Sequence, residues 1–149
     1  MNPALLLDSQ LCFALYTASR SMTQAYQPLL GELGLTYPQY LVMLVLWEED
    51  GVTVKRLGER LLLDSGTLTP LLKRLETAGL LVRQRASADE RRVEVWLSAA
   101  GKALESQAAA VPQAMRCRYG AEGREAESAM LRQTLQQLTK LLQGKQDQD

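Results

Sequence analysis

The chain has 149 residues, which suits one domain with a buried core, and 46% of them are hydrophobic. Its 17 basic and 17 acidic side chains cancel, so the overall charge does not indicate a nucleic-acid partner. The chain has no histidine and two cysteines far apart, which excludes His-containing zinc sites and catalytic triads. The longest apolar run, residues 40–47, is shorter than the roughly 20 residues that span a bilayer. Its N-terminus lacks a signal peptide's basic start, so we expect a cytoplasmic protein. We also expect no membrane partner, no metal and no cofactor.

The N-terminal part of the chain predicts two helices. Apolar side chains at helical spacing predict a first helix over about 8–33, with Asp8 as its N-cap. Thr36 and Gln39 form a capping-box pattern that starts a second helix. The second helix is apolar on nearly every side, so we expect it in the interior of the domain.

The middle of the chain predicts a helix-turn-helix. Thr53 is expected to cap a helix over 54–63, and Asp64 or Ser65 a second helix that ends at Gly79. The second helix has an apolar face expected in the core, formed by Leu68, Leu71, Leu72 and Leu75.

A basic hairpin is predicted to follow. Residues 80–85 and 92–97 are candidate strands, joined by a small polar tip at 86–91. The segment 52–98 holds nine basic and six acidic side chains, so positive charge concentrates where the helix and hairpin lie. A winged helix-turn-helix presents such a helix to a major groove of DNA and its hairpin to the adjacent minor groove.

Two more helices are predicted, over 98–116 and 124–143, followed by a frayed tail. We therefore predict a mainly α fold with a small β-hairpin wing (α+β) in a single domain, residues 1–149. Its winged helix-turn-helix lobe is expected over about 36–98 and its dimerisation helices over about 8–33 and 98–143. The apolar terminal helices need a partner, and a second copy of the chain is the simplest one.

Polar side chains on the outer face of the second middle helix are the candidates for DNA contact. Hydroxyls and cations at these positions can bond to phosphates or base edges. The candidates are Ser65, Thr67, Thr69, Lys73 and Arg74. Pro70 lies among them and is expected to distort the helix slightly. At the hairpin, Arg91 or Arg92 can enter a narrow minor groove. The alternative interpretation is a solvated helix and hairpin with no DNA partner.

The run LGERLLLDSGTLTPLLKRLETAGLLVRQRASADERRVEVWLSAAG resembles the multiple-antibiotic-resistance-regulator (MarR) family of winged-helix repressors. Its LDSGTLTPLLKRLE segment is similar to that family's recognition helix, and DERR to its wing. The resemblance implies that Asp89 buttresses Arg91, which enters the minor groove. It also implies a homodimer that binds double-stranded operator DNA.

Cys12 admits two interpretations. A lone cysteine on an apolar helix is usually a small buried hydrophobe. Against that, Cys12 lies near a predicted helix start, where the backbone dipole favours a thiolate. Tyr16 follows on the same helix face, and the phenols of Tyr26 and Tyr37 can donate to a thiolate.

The stretch LDSQLCFALYTASRSMTQAYQPLLGELGLTYPQYLVMLVLWE resembles the organic hydroperoxide resistance regulators (OhrR), a MarR subfamily. There a cysteine of the N-terminal helix senses peroxide, and tyrosines 14 and 25 residues further on hydrogen-bond to it, which here are Tyr26 and Tyr37. In the two-cysteine branch a cysteine of the other subunit resolves the oxidised sensor, which implies that role for Cys117. Arg116 and Arg118 are expected to favour its thiolate; the alternative is an incidental surface thiol.

The resemblance implies a homodimeric repressor that leaves DNA when organic hydroperoxides oxidise Cys12, through an intersubunit disulfide with Cys117. One alternative is a MarR-like repressor released by an aromatic or amphipathic ligand bound beside Tyr16 and other aromatic side chains. The other, from a different class, is a thiol peroxidase. We expect a regulator and not an enzyme.

Overall fold

The computed structural model describes residues 1–86 and 88–144. Ser87, in the predicted hairpin tip, and residues 145–149, in the predicted frayed tail, lie outside the described residues. The chain divides into two compact units, Met1–Val111 and Pro112–Asp149, and each is described by itself. The single domain expected from the sequence stays a prediction.

The predicted fold class is confirmed, because the chain is mainly helical with one small antiparallel sheet. The helices and strands are, in chain order, α1 Leu11–Gly31, α2 Tyr37–Glu48, β1 Val52–Thr53, α3 Val54–Leu61, α4 Ser65–Thr77, β2 Leu81–Ala86, β3 Asp89–Leu97, α5 Ala99–Ala108, α6 Val111–Arg118 and α7 Glu125–Gln143. Across the described residues, none of these helices is long and apolar enough to cross a membrane.

Helix α1 begins later than the sequence predicted. Two short 3-10 helices, Pro3–Leu5 and Leu7–Ser9, precede it, so Asp8 lies in a separate turn and is not its N-cap. Gln10 holds the cap position, and its side-chain amide donates to two carbonyls of the preceding turns, each at 2.9 Å. Cys12 is therefore the second residue of α1.

Helix α2 lies at the centre of the first unit. The predicted capping box is present, since Gln39 N–H donates to Thr36 Oγ1 and Thr36 N–H to Gln39 Oε1. Five of its side chains are buried, namely Tyr40, Val42, Met43, Val45 and Leu46. This burial agrees with the interior position predicted from its apolar sequence, although Leu44 is exposed.

The helix-turn-helix forms as predicted, with a shorter first helix. Thr53 caps α3, which ends at Leu61 because Leu62 adopts a left-handed conformation with φ of 55°. Asp64 caps α4, and its Oδ1 accepts the Thr67 N–H at 2.8 Å. The four leucines predicted to form the core face of α4 are all buried.

The three strands form an antiparallel sheet in the order β1-β3-β2. Strand β3 starts at Asp89, which is earlier than predicted. Ala86 pairs with Asp89, whereas its neighbour Arg85 pairs with Val93. This shift in register leaves extra residues on β3, and Arg91 lies among them.

The prediction of one long helix over 98–116 was wrong, because the segment forms two helices, α5 and α6. Ser98 caps α5 as expected. Pro112 has no N–H to donate to the carbonyl of Ala108, four residues earlier, and α5 ends at that residue. Helix α6 then starts with Pro112 in its first turn, where a missing N–H costs little. The last helix, α7, lies where the sequence predicted it.

Candidate functional site

Helix α4 separates its side chains into a buried face and an exposed face. The leucines pack into the core of the first unit and turn the opposite side of the helix outward. The predicted DNA-facing side chains are all exposed, namely Ser65, Thr67, Thr69, Pro70, Lys73 and Arg74. Pro70 does not break the helix, which runs without interruption from Ser65 to Thr77. The exposed face therefore combines hydroxyls with two cations, the chemistry that contacts phosphates and base edges.

The wing carries two exposed arginines next to the irregular register of β3. Asp89 Oδ1 accepts the backbone N–H of Arg91 at 2.9 Å. Asp89 therefore supports Arg91 through the backbone N–H of Arg91. This contact differs from an ion pair between the carboxylate and the guanidinium. Arg92, the next residue, is exposed as well.

A carboxylate that we did not single out from the sequence ties α4 to the wing. One oxygen of Glu76, Oε2, accepts both the backbone N–H of Arg83 at 3.0 Å and its Nε at 3.1 Å. The hydrogen bond with the Arg83 guanidinium lowers the pKa of Glu76. Glu76 therefore joins the last turn of α4 to strand β2 of the wing. An acid in a last helical turn followed by an arginine in a strand is too common a pattern to reveal this.

Cys12 is exposed, so within this chain it is not the small buried hydrophobe that one interpretation expected. Its thiol stands at the second position of α1, where backbone N–H groups have no helical partner. Tyr16 lies one turn further on and is also exposed, with the Arg20 guanidinium 5.4 Å from its ring centre.

Tyr26 and Tyr37 come together, away from Cys12 of the same chain. Their ring centres are 4.9 Å apart, and Tyr40 joins them at 5.9 Å from Tyr26. Burial raises the pKa of the Tyr37 phenol, so this group keeps its proton and its ability to donate. Cys12 and Tyr26 are 14 residues apart on one continuous helix, which separates them by about 21 Å along its axis. That distance is too long for a hydrogen bond.

Cys117 lies in α6 and is an exposed free thiol. Its Sγ donates to Glu122 Oε1 at 2.9 Å. That hydrogen bond, with smaller effects of desolvation and of the negative charge of Glu122, raises the pKa of the Cys117 thiol. The expectation that Arg116 and Arg118 favour the thiolate was therefore wrong. The Arg116 guanidinium donates instead to Gln113 Oε1, at 2.6 and 3.1 Å.

Comparison with known proteins finds similarity to transcriptional regulators. The family model "Transcriptional regulator SarA/Rot" matches residues 24–107. The organic hydroperoxide resistance transcriptional regulator of Bacillus subtilis (strain 168) is 54% identical over 106 residues, which are 71% of this chain and 72% of that relative.

Solved structures of AbfR from Staphylococcus epidermidis are also similar. Reduced AbfR bound to DNA is 40% identical, with a TM-score of 0.69 over 89% of this chain and 96% of that one. Disulfide-formed AbfR is 38% identical, with a TM-score of 0.64 over 90% of this chain and 92% of that one. A crystal structure of MarR shares the fold, at 23% identity and a TM-score of 0.71 over 87% of this chain and 94% of that one.

Fold and surface together define a winged helix-turn-helix regulator of transcription. The chain belongs to the SarA/Rot family of transcriptional regulators, and its resemblance to OhrR is confirmed. The relatives are regulators and not enzymes, as expected from the sequence.

Proposed function

We propose that this protein is a homodimeric transcriptional repressor that binds operator DNA and leaves it when an organic hydroperoxide oxidises Cys12. The observation that carries the proposal is an exposed thiol at the start of α1, in a chain 54% identical to an organic hydroperoxide resistance regulator. The similarity to AbfR, solved both on DNA and with a disulfide, supports the link between DNA binding and thiol oxidation.

Two surfaces support the homodimer. Helices α1 and α7 each leave large apolar side chains exposed within the single chain, namely Leu11, Tyr16, Met22, Met130, Leu131, Leu135, Leu141 and Leu142. Large apolar side chains left exposed on two helices favour association with a partner, and a second copy brings the same side chains.

The separation along α1 sets how the sensor is assembled. If Tyr26 and Tyr37 donate to the Cys12 thiolate, they belong to the second copy, because those of the same chain lie too far away. Two α1 helices that pack antiparallel bring the start of one helix to the end of the other. The sensor is then complete only in the dimer, with each Cys12 beside the phenols of its partner.

The proposed chemistry starts at the Cys12 thiolate, to which the phenols of the second copy donate. Its sulfur attacks the peroxide O–O bond, takes one oxygen as a sulfenic acid, and releases the alcohol once the alkoxide gains a proton. Cys117 of the other copy then condenses with the sulfenic acid, which forms a disulfide and water. That bond requires the two residues to lie within disulfide distance. If the two sulfurs start far apart, the terminal helices must move and carry the DNA-reading helices out of register with their half-sites.

The direct test uses the purified protein on a labelled operator with one equivalent of cumene hydroperoxide per Cys12. DNA should be released, and on a non-reducing gel the oxidised protein should run as a covalent dimer. Neither Cys12→Ser nor Cys117→Ser should form that dimer. Protein that releases DNA yet runs as a monomer would remove Cys117 as an intersubunit resolver. Protein that stays on DNA with Cys12 oxidised would refute the proposed release.

Lys73 and Arg91 are expected to contribute differently to DNA binding. Lys73→Ala removes one phosphate contact from each subunit of the proposed dimer, so affinity should fall for every sequence and the slope of log K against log salt should flatten by about one unit per subunit. Arg91→Ala should cost most where the flanking minor groove is narrow. Lys140→Ala, which removes a cation from α7, is the control and should change neither quantity. Titrations at several salt concentrations on two operators measure both, and identical losses with unchanged slopes would contradict the assignment.

A further inference from the structure

The turn after α6 brings a carboxylate onto the Cys117 thiol. Gly120, with φ of 71°, reverses the chain just beyond the helix. The next residue, Ala121, is buried, and its N–H donates to the carbonyl of Arg116 at 2.9 Å, which anchors the turn. Glu122 thereby reaches back over the last helical turn, and its Oε1 lies 2.9 Å from Cys117 Sγ.

A second side chain holds that carboxylate in place. Gln113 Nε2 lies 3.3 Å from Glu122 Oε1 and 3.8 Å from Cys117 Sγ, so one amide touches both partners. The orientation of the amide is itself fixed, because its Oε1 accepts from Arg116. Among the described residues, the Glu122 carboxylate is in direct contact with this thiol, and the Arg116 guanidinium binds the Gln113 amide that also touches the sulfur.

We propose that Glu122 accepts the Cys117 proton in the disulfide-forming step. The inference rests on the proposed function, in which Cys117 resolves oxidised Cys12. A general base needs to lie within hydrogen-bond reach of the proton that it removes, and Glu122 does.

The step balances without a further oxidant. The Cys117 sulfur attacks the sulfenic sulfur of Cys12 in the second copy, an S–S bond forms, and the S–O bond of the sulfenic acid breaks. The Cys117 proton passes to Glu122 as the sulfur attacks. The leaving hydroxide takes a proton and becomes water. Cys117 is oxidised from thiol to disulfide, and Cys12 is reduced from sulfenic acid to disulfide.

Before Cys12 is oxidised, the hydrogen bond between Cys117 and Glu122 lowers the reactivity of the Cys117 sulfur. A hydrogen bond to a carboxylate keeps the sulfur protonated, and the thiol is a far poorer nucleophile toward peroxide than the thiolate. Cys117 is thus spared direct oxidation at rest and loses its proton only as it attacks. Glu122 therefore separates the roles of the two cysteines.

This double effect allows a sharp test with Glu122→Gln, which keeps the size of the side chain and removes the base. In a Cys12→Ser background, iodoacetamide should alkylate Cys117 faster in this variant at pH 7, because the hydrogen bond that raises the pKa of the thiol is gone and the thiolate fraction rises. With Cys12 present, the rate of disulfide formation after a pulse of cumene hydroperoxide, divided by the thiolate fraction that the alkylation rate reports, should be at least about tenfold lower. Acid quench and mass spectrometry follow both reactions.

The pH profile separates proton transfer from a merely structural role. If Glu122 takes the Cys117 proton, the rate of disulfide formation in the unsubstituted protein should be nearly flat between pH 6 and 8. In Glu122→Gln the rate should follow the thiolate fraction and rise about tenfold per pH unit. Glu122→Asp should keep the flat profile at a lower rate. Glu127→Gln, the same charge change on a side chain paired with Arg124, is the control and should behave like the unsubstituted protein.

The outcomes distinguish this inference from the proposed function. A Glu122→Gln protein whose rate of disulfide formation, divided by the thiolate fraction, equals or exceeds that of the unsubstituted protein would overturn the base role alone. A rate of disulfide formation in Glu122→Gln that does not change between pH 6 and 8 would also overturn the base role alone. An unsubstituted protein that forms no Cys12–Cys117 disulfide would overturn resolution by Cys117, and the base role with it. If Glu122→Gln fails to fold, a flat profile in Glu122→Asp supports the inference and one that follows the thiolate fraction overturns it.

Discussion

Cys12→Ser protein is expected to stay on its operator at hydroperoxide concentrations that release the unsubstituted protein completely. Serine keeps the size and exposure of the side chain, but its hydroxyl is not ionised at neutral pH and does not attack the O–O bond. DNA affinity before peroxide should be unchanged, because Cys12 lies on α1 and the proposed DNA-reading side chains lie on α4 and the wing. Fluorescence anisotropy of a labelled operator, before and after one equivalent of cumene hydroperoxide, measures both quantities.

Cys117→Ser is the matched comparison, since it removes the other thiol and leaves the attack intact. Its Cys12 should still become a sulfenic acid, which without a resolving thiol can oxidise further or couple to a small thiol. Release should then be slower or partial and harder to reverse with reductant. If Cys12→Ser is released as readily as the unsubstituted protein, thiol oxidation is not the trigger, and a non-covalent aromatic or amphipathic ligand becomes the better hypothesis.

Local sequence patterns predicted most of the fold because local interactions decide it. The buried leucines of α4 repeat at helical spacing, and the cap of that helix is an aspartate directly before it. The break between α5 and α6 had a local cause as well, since Pro112 removes the donor that would continue the helix past Ala108. The apolar spacing continued across that proline and concealed the break.

The chemistry around the thiols could not be predicted in the same way, because it depends on turns and on a second copy. Arg116 and Arg118 flank Cys117 in sequence, yet the group that raises the pKa of its thiol is Glu122, beyond a glycine turn. For Cys12 the helix geometry places the phenol of Tyr26 about 21 Å away along the axis of α1. Sequence offsets alone do not tell which copy supplies a partner.

Gly101→Ala is expected to destabilise the first unit by about 3 kcal/mol, at the upper end of the usual cost of overpacking. Gly101 lies in the first turn of α5, where an added Cβ would come within 2.0 Å of the Leu80 carbonyl oxygen and 3.1 Å of Leu97 Cδ2. A backbone oxygen does not rotate aside as a side chain does. This one also accepts the Ser98 N–H at 3.1 Å, so its displacement would disturb the start of α5. Urea unfolding at a fixed protein concentration measures the change.

Gly31→Ala is the matched control for that measurement. Gly31 is also helical, nothing lies within 4 Å of the position that an added methyl carbon would take, and its substitution should be neutral or stabilising by up to about 1 kcal/mol. The Gly101 carbonyl accepts the Trp47 indole N–H at 2.9 Å and so joins α5 to the central helix α2. If α5 is pushed away, this bond is lost too, and DNA binding should fall with the folded fraction. A Gly101→Ala protein as stable as the Gly31→Ala protein would show that α5 can shift away from Leu80 at no cost.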